Sequence, residues 1–188
     1  MRSVRTVAAF LGLFICGLYA EQTVPRPSPE FVINYPGGKQ ALLSQYKGKV
    51  VLLAIIFTTC PHCQATCQMI SKLNTELGPK GFQPLAVAVN PMSLMLVNDF
   101  VRDFHVNFPV GASERDPALS YLQINGADRW VVPQIVLIDR KGVIRAQTPP
   151  LGDEKMQEEN HLRQLIENLL HEGTPTSKRS GGAKRRPS

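Results

Sequence analysis

The clearest signal in the chain is an unbroken apolar run from Val50 to Phe57. Strands that are buried on both faces have this composition, rich in Val, Leu and Ile at successive positions, and they lie in the middle of a sheet. From residue 61 onward apolar side chains recur at helical spacing, and the sequence Gly-Pro-Lys-Gly at 78–81 ends the helix. The pattern therefore predicts a central strand followed at once by a helix.

The rest of the pattern alternates strands with helices. The short strand predicted at 31–34 is followed by Pro36-Gly37-Gly38, which indicates a hairpin with residues 40–43. Alternating strands and helices are typical of an α/β fold with a partly parallel sheet, and 188 residues with 43% hydrophobic content suit one globular domain. The further predicted strands cover 82–90, 134–139 and 143–146, with a short extended piece at 108–111, and the further helices cover about 93–105, 117–122 and 154–170.

The first 30 residues differ from the apolar and polar pattern of the domain. Arg2 and Arg5 precede a mostly apolar stretch that ends at Ala20, and this layout predicts a signal peptide over residues 1–20, with an uncleaved membrane anchor as the alternative. Residues 21–30 are rich in proline and polar groups and are predicted to be a linker. The expected location is therefore an exported compartment, periplasmic or otherwise extracytoplasmic.

The basic charge of the chain belongs to its ends. Residues 173–188 carry five Lys and Arg residues, no acid and few apolar side chains, which predicts a disordered basic tail after a domain spanning 31–172. With the tail and the two N-terminal arginines set aside, the net charge of +6 falls to near zero. No nucleic-acid partner is expected, although a tail that binds nucleic acid or an anionic membrane is an alternative.

Two cysteines stand where the central strand gives way to the helix. Cys60 and Cys63 have the C-x-x-C spacing, which in this strand-to-helix context indicates a redox motif. The helix N-terminus favours a thiolate at Cys60, and His62 would favour it further if it is protonated or donates a hydrogen bond. Cys63 is one turn deeper, so we expect Cys60 to attack and Cys63 to resolve. Pro61 fits the first helical turn and stiffens the disulfide ring.

With these residues in view, the chain resembles the thioredoxin superfamily, and most of all its exported TlpA/ResA-type thiol-disulfide oxidoreductases. The resemblance runs from Phe31 to about Leu170 and rests on the leading hairpin, residues 46–53, the Cys-Pro-His-Cys motif and Val132-Pro133. It implies a thioredoxin-like fold, in which helices flank a central mixed sheet behind an N-terminal β-hairpin. It also implies that Pro133 is a cis-proline and that Val132 and Pro133 contact the disulfide and the substrate.

The resemblance implies an enzyme that exchanges a disulfide with protein thiols or disulfides, together with a redox partner that recycles the couple. It implies neither a cofactor nor a metal. The Pro-His pair resembles that of DsbA-type oxidants, whereas TlpA/ResA-like proteins usually work as reductants, so the direction stays open. Thr59 replaces the tryptophan of thioredoxins, and the strand before it has no acid that could accept the proton of Cys63.

Cys67 leaves an alternative open. It follows Cys63 by four residues on the same helix face, which favours a small core residue. The same C-x-x-x-C spacing occurs in Sco-type copper chaperones, where two thiolates and a histidine bind Cu(I). The other histidines of the domain, His105, His161 and His171, stand in no obvious ligand context.

Three further readings are weaker. A static disulfide or a non-catalytic interaction module would make the C-x-x-C motif structural. A peroxiredoxin requires threonine three residues before its reactive cysteine, and Phe57 holds that place relative to Cys60.

Overall fold

A mixed sheet forms the centre of the fold. The computed structural model describes residues 23–172, so the predicted signal segment and basic tail lie outside the described residues. The strands within this range are Arg26–Pro27 (β1), Val32–Tyr35 (β2), Lys39–Leu42 (β3), Val50–Ile56 (β4), Phe82–Ala88 (β5), Val110–Ala112 (β6), Gln134–Ile138 (β7) and Val143–Gln147 (β8). They form one sheet, in the order β1-β8-β7-β4-β5-β6-β2-β3.

The predicted central strand holds that position in the sheet. β4 pairs with β5 in parallel and with β7 in antiparallel orientation, and all seven of its residues are buried. Alternate side chains enter two different apolar clusters, Leu52 and Ile56 on one face and Leu53 and Ile55 on the other. Burial on both faces explains why the strand reads as a continuous apolar run.

Four α-helices in the described range cover the two faces: Pro61–Leu77 (α1), Ser93–Asp103 (α2), Arg115–Leu122 (α3) and Glu159–Glu172 (α4). Helices α1, α2 and α4 bury their apolar side chains in one cluster, whereas α3 packs in the other together with Phe31 and Ile33 of the leading hairpin. The predicted α/β class, with a central mixed sheet, flanking helices and an N-terminal hairpin, is confirmed. Among residues 23–172, no helix combines the length and the apolar content needed to cross a membrane.

Two segments differ from the prediction. The expected linker at 21–30 contains β1, which pairs with β8 and buries Arg26; the Arg26 guanidinium donates to the Tyr121 carbonyl (2.8 Å) and to Gln147 Oε1 (2.9 Å). The last helix begins at Glu159 rather than near residue 154, because a 3₁₀ turn at Lys155–Gln157 is followed by an extended residue, Glu158. Apolar periodicity spans both pieces, since buried Met156 joins the same cluster as α4.

Candidate active site

Cys60 lies where the central strand leads into α1. Its backbone is extended (φ −88°, ψ 120°), and Pro61 is the first helical residue, a place where proline removes no helix hydrogen bond. The Cys60 N–H donates to the Phe57 carbonyl (3.2 Å), and the Gln64 N–H donates to the Cys60 carbonyl (3.0 Å). The Cys60 side chain thus stands at the N-terminal end of α1, where the first backbone N–H groups have no partner within the helix.

The two thiols of the C-x-x-C motif differ in depth. Cys60 is half-buried, whereas Cys63 is 0% exposed, and both are free thiols. Burial raises the pKa of Cys63 far above its ordinary range; a backbone hydrogen bond from Phe57 opposes this rise, and the hydrogen bond with the Cys60 thiol adds to it. The Cys60 thiol is therefore the more accessible of the two, and the shielded Cys63 thiol stays protonated.

Val132 and Pro133 lie beside Cys60 and form one side of the candidate site, opposite the N-terminal end of α1. The Cys60 Sγ atom lies 4.0 Å from the Val132 carbonyl oxygen, although the two residues are 72 positions apart. The Val132–Pro133 peptide bond is cis, and Pro133 is buried. The structure thus brings the C-x-x-C motif and the Val-Pro pair of the sequence prediction to one place.

The two residues between the cysteines lie on the surface. Pro61 and His62 are both exposed on the first turn of α1. The structure shows no hydrogen bond between the His62 side chain and any residue in the range 23–172. The His62 side chain therefore gives the Cys60 thiol no hydrogen bond in this structure.

Sequence reasoning missed the contacts that hold the cysteine loop. The Thr58 N–H donates to Asn90 Oδ1 (2.9 Å), and Gln64 Nε2 donates to the Thr58 carbonyl (3.1 Å). These bonds tie the residues before Cys60 to the end of β5 and to α1. Asn90 lies two residues after the end of β5, a buried strand that runs parallel to β4. Since the carboxyl ends of parallel strands meet at one sheet edge, the position of Asn90 in the sequence could have indicated a place near Cys60.

Trp130 is a second residue to which the sequence pattern assigned no role. Its ring packs edge-on against Phe57 with 5.9 Å between the ring centroids, and the Arg115 guanidinium lies 5.9 Å from the Trp130 centroid. The contact joins the end of the central strand to the segment that leads into Val132. The signal was present in the sequence, because Trp130 is the single tryptophan of the chain and precedes Pro133 by three residues.

The buried part of the site contains no carboxylate. The buried polar and charged side chains of the described range are Arg26, Thr58, Thr66, Ser71, Ser93, Gln134 and Thr148. None of these is an acid, so no buried carboxylate within residues 23–172 can accept the proton of Cys63.

Cys67 belongs to the core. It is 0% exposed and packs in the same apolar cluster as Cys63, Ile70 and Leu73. Burial raises the pKa of its thiol to about 12. Within residues 23–172, no group of three or more His, Cys, Asp or Glu side chains comes together in a way that could hold a metal ion. The structure therefore gives the C-x-x-x-C pair no third ligand of these types from the described residues.

Known proteins resemble this chain over most of its length. The protein-family model described as Redoxin matches residues 23–166. The thiol-disulfide oxidoreductase ResA of Geobacillus thermodenitrificans (strain NG80-2) is 27% identical over 151 residues, which cover 76% of this chain and 83% of the relative. The protein named Probable glutathione peroxidase 8-B of Xenopus laevis is 27% identical over 146 residues, which cover 69% of this chain and 70% of that protein.

The fold has a close counterpart among solved structures. The solution structure of a thiol:disulfide interchange protein from Bacteroides sp. matches with a TM-score of 0.65 at 18% identity, covering 84% of this chain and 95% of that one. The family model spans well over half of the sequence, including the cysteine motif and Pro133. These matches confirm the predicted class, the thiol-disulfide oxidoreductases of the thioredoxin superfamily, and the chain belongs to the Redoxin family.

Proposed function

We propose that this protein exchanges a Cys60–Cys63 disulfide or dithiol with protein substrates, with Cys60 as the attacking thiol and Cys63 as the resolving thiol. The observation that carries the proposal is the half-buried Cys60 at the start of α1, 4.0 Å from the Val132 carbonyl and three residues before the fully buried Cys63. One thiol of the pair is accessible and the other is shielded, which suits a two-step exchange.

In the reducing direction the exchange consists of two displacements. The Cys60 thiolate attacks one sulfur of the substrate disulfide; the substrate S–S bond breaks, a mixed disulfide forms, and the released substrate sulfur takes up a proton. Cys63 then loses its proton and attacks the Cys60 sulfur, which forms the Cys60–Cys63 disulfide and releases the second substrate thiol. Two electrons pass to the substrate, and the oxidising direction is the same sequence in reverse.

The substrate segment would lie between the two walls of the site. The backbone of Val132 and Pro133 would offer hydrogen-bonding groups to an extended substrate chain, and exposed Pro61 and His62 would face it from α1. A separate redox partner would recycle the couple. Export is part of the proposal, supported by the Arg-containing, apolar residues 1–20.

The test of the proposal is an exchange assay run in both directions. Reduction of insulin and oxidation of a reduced, unfolded ribonuclease should both depend on the protein, and the double variant Cys60→Ser/Cys63→Ser should match the buffer blank. A wild-type protein that accelerates neither reaction would contradict the proposal. The reduction potential of the couple then assigns the direction, since a value of about −270 mV is that of a reductant such as thioredoxin and one of about −120 mV that of a strong oxidant.

A further inference from the structure

Gln134 is a polar side chain in a strand that is otherwise apolar. It opens β7 directly after Pro133, and the residues that follow it, Ile135–Ile138, are all apolar and buried. The Gln134 side chain is itself 0% exposed. Since buried polar groups are costly unless they are hydrogen-bonded, the contacts of this amide indicate what the residue does.

The amide nitrogen of Gln134 holds two loops together. Nε2 donates to the Val131 carbonyl (2.8 Å) and to the carbonyls of Pro149 (3.1 Å) and Pro150 (3.1 Å). An amide has two N–H groups, so one of them is shared between two acceptors. The Val131 N–H adds a backbone bond to the Pro150 carbonyl (2.9 Å). The segment before Pro133 is thereby fastened to the segment after β8.

The three acceptors do not depend equally on Gln134. The Pro149 carbonyl also accepts from the Gly152 N–H, and the Pro150 carbonyl also accepts from the Val131 N–H. For the Val131 carbonyl, Gln134 is the hydrogen-bond donor that the described residues provide. This carbonyl belongs to the peptide unit between Val131 and Val132, so the Gln134 amide holds the backbone immediately before the Val132 carbonyl, which lies 4.0 Å from Cys60 Sγ.

The oxygen of the Gln134 amide lowers the stability of the fold. Gln134 Oε1 is buried and has no hydrogen-bond partner among the described residues. An unpaired buried acceptor lowers stability, and an apolar side chain of similar size would avoid that cost. The donor end of the side chain is therefore the feature that a glutamine supplies here.

We propose that Gln134 is a positioning residue, which fixes the Val131–Val132 peptide so that the Val132 backbone meets both Cys60 and an extended protein substrate. The proposal rests on the exchange function proposed above. The proposal predicts different effects of Gln134 on two kinds of substrate. A protein disulfide needs the Val132 backbone in place to align its chain, whereas a small aryl disulfide needs only the Cys60 thiolate.

The test compares the same substitution at two glutamines in the full chain. Gln134→Met removes the three donated bonds while nearly keeping the side-chain volume. Gln147→Met is the matched control, because Gln147 lies on the adjacent strand β8 and its side chain also bridges elements, donating to the Leu122 carbonyl (2.7 Å) and accepting from Arg26 (2.9 Å). Each variant is assayed with insulin and with dithiobis-nitrobenzoate, and thermal unfolding is recorded.

We expect Gln134→Met to lower kcat/KM for insulin roughly tenfold or more, since small displacements of a positioned group have effects of this size, while its rate with the aryl disulfide stays close to that of the wild type. Gln147→Met should change the rates with insulin and with the aryl disulfide by the same factor, and any loss of rate should accompany a lower unfolding temperature. Equal losses with both substrates in Gln134→Met, or no loss with insulin, would overturn the proposal.

A shorter amide guards against a variant that fails to fold. Gln134→Asn keeps the donors but is one methylene too short to reach all three carbonyls, so it should show the same substrate split in weaker form. A wild-type rate with insulin in Gln134→Asn would count against positioning. Failure of the exchange function itself is a different result, because the wild-type protein would then reduce neither substrate.

Discussion

The N-terminal end of α1 carries two overlapping pairs of cysteines, Cys60 with Cys63 and Cys63 with Cys67, which differ in access and in chemistry. Cys60 and Cys63 form a pair with one member open to a partner, whereas Cys63 and Cys67 are both fully buried. Residues four apart on a helix have Cβ atoms about 5–6 Å apart, and a disulfide needs about 3.5–4.5 Å. A Cys63–Cys67 bond would therefore distort the helix, while Cys60, which precedes the first turn, is free of that constraint. Access and backbone geometry, not spacing alone, separate the redox pair from the core cysteine.

The largest expected effect comes from substituting the cysteine that each pair does not share with the other, Cys60 or Cys67. Cys60→Ser should reduce insulin turnover to the uncatalysed background, because the other two cysteines of residues 23–172, Cys63 and Cys67, are fully buried. Cys67→Ala should keep most of the wild-type turnover, because the Cys67 thiol points into the apolar core cluster. Comparable losses of insulin turnover in both variants would contradict the assignment of Cys60 to the exchange reaction and of Cys67 to the core.

The resolving role of Cys63 predicts a trapped intermediate. In Cys63→Ser the mixed disulfide between Cys60 and the substrate has no internal thiol to release it, so the covalent complex should accumulate. Non-reducing electrophoresis and mass spectrometry would detect this complex, and dithiothreitol should cleave it by reducing the mixed disulfide. If Cys67→Ser accumulates the same complex and Cys63→Ser does not, the resolving thiol is Cys67 and our assignment is wrong.

Substitution by serine should also lower the free energy of unfolding to different extents at Cys67 and at Cys60. Cys67→Ser places a hydroxyl in the apolar cluster and should lower the free energy of unfolding by about 1–3 kcal/mol. Cys60→Ser, at a half-buried site beside solvent, should lower it by less. Denaturant unfolding of the reduced proteins measures both, and a larger loss at Cys60 than at Cys67 would contradict the burial that distinguishes them.

Stability should also depend on pH. Burial raises the pKa of both Cys63 and Cys67, so the folded protein keeps these protons where the unfolded chain loses them. Their contribution is complete below the ordinary thiol pKa of about 8.5 and falls above it, by up to about 1.4 kcal/mol per pH unit for each thiol.

Comparing redox forms isolates the part of this slope that belongs to Cys63. Oxidation of the Cys60–Cys63 pair removes the Cys63 thiol but leaves Cys67, so the oxidised protein should lose stability more slowly between pH 8.5 and pH 10, a window set by the same thiol pKa. Denaturant titrations at a series of pH values measure both slopes. Equal slopes for the two forms would show that Cys63 is not the shielded thiol described here.

The sequence predicted the parts of the site that local pattern determines. The apolar run of β4, the helix start at Pro61 and the C-x-x-C spacing are all contiguous, and the resemblance added Pro133. Asn90, Trp130 and Gln134 were missed, because their roles arise from contacts between loops that are far apart in the chain. The bond between Thr58 and Asn90, for example, joins residues 32 positions apart.

The two errors in the fold have local physical causes. β1 has only two residues, Arg26 and Pro27, and neither favours a strand by composition; pairing with β8 and the hydrogen bonds of the Arg26 guanidinium hold it in the sheet. The early start predicted for α4 followed a continuous apolar period, but the extended backbone at Glu158 separates the 3₁₀ turn from the helix. Periodicity reports burial and does not locate such a break.

The most direct test of the central claim is a map of the disulfide that forms in a glutathione redox buffer. The protein should carry Cys16→Ser, so that Cys60, Cys63 and Cys67 are its remaining thiols. After trapping with an alkylating reagent and digestion, mass spectrometry should find Cys60 linked to Cys63 and Cys67 alkylated. A disulfide that includes Cys67, or a protein that keeps all three thiols reduced even in the most oxidising buffer, would contradict the assignment of Cys60 and Cys63 as the redox couple.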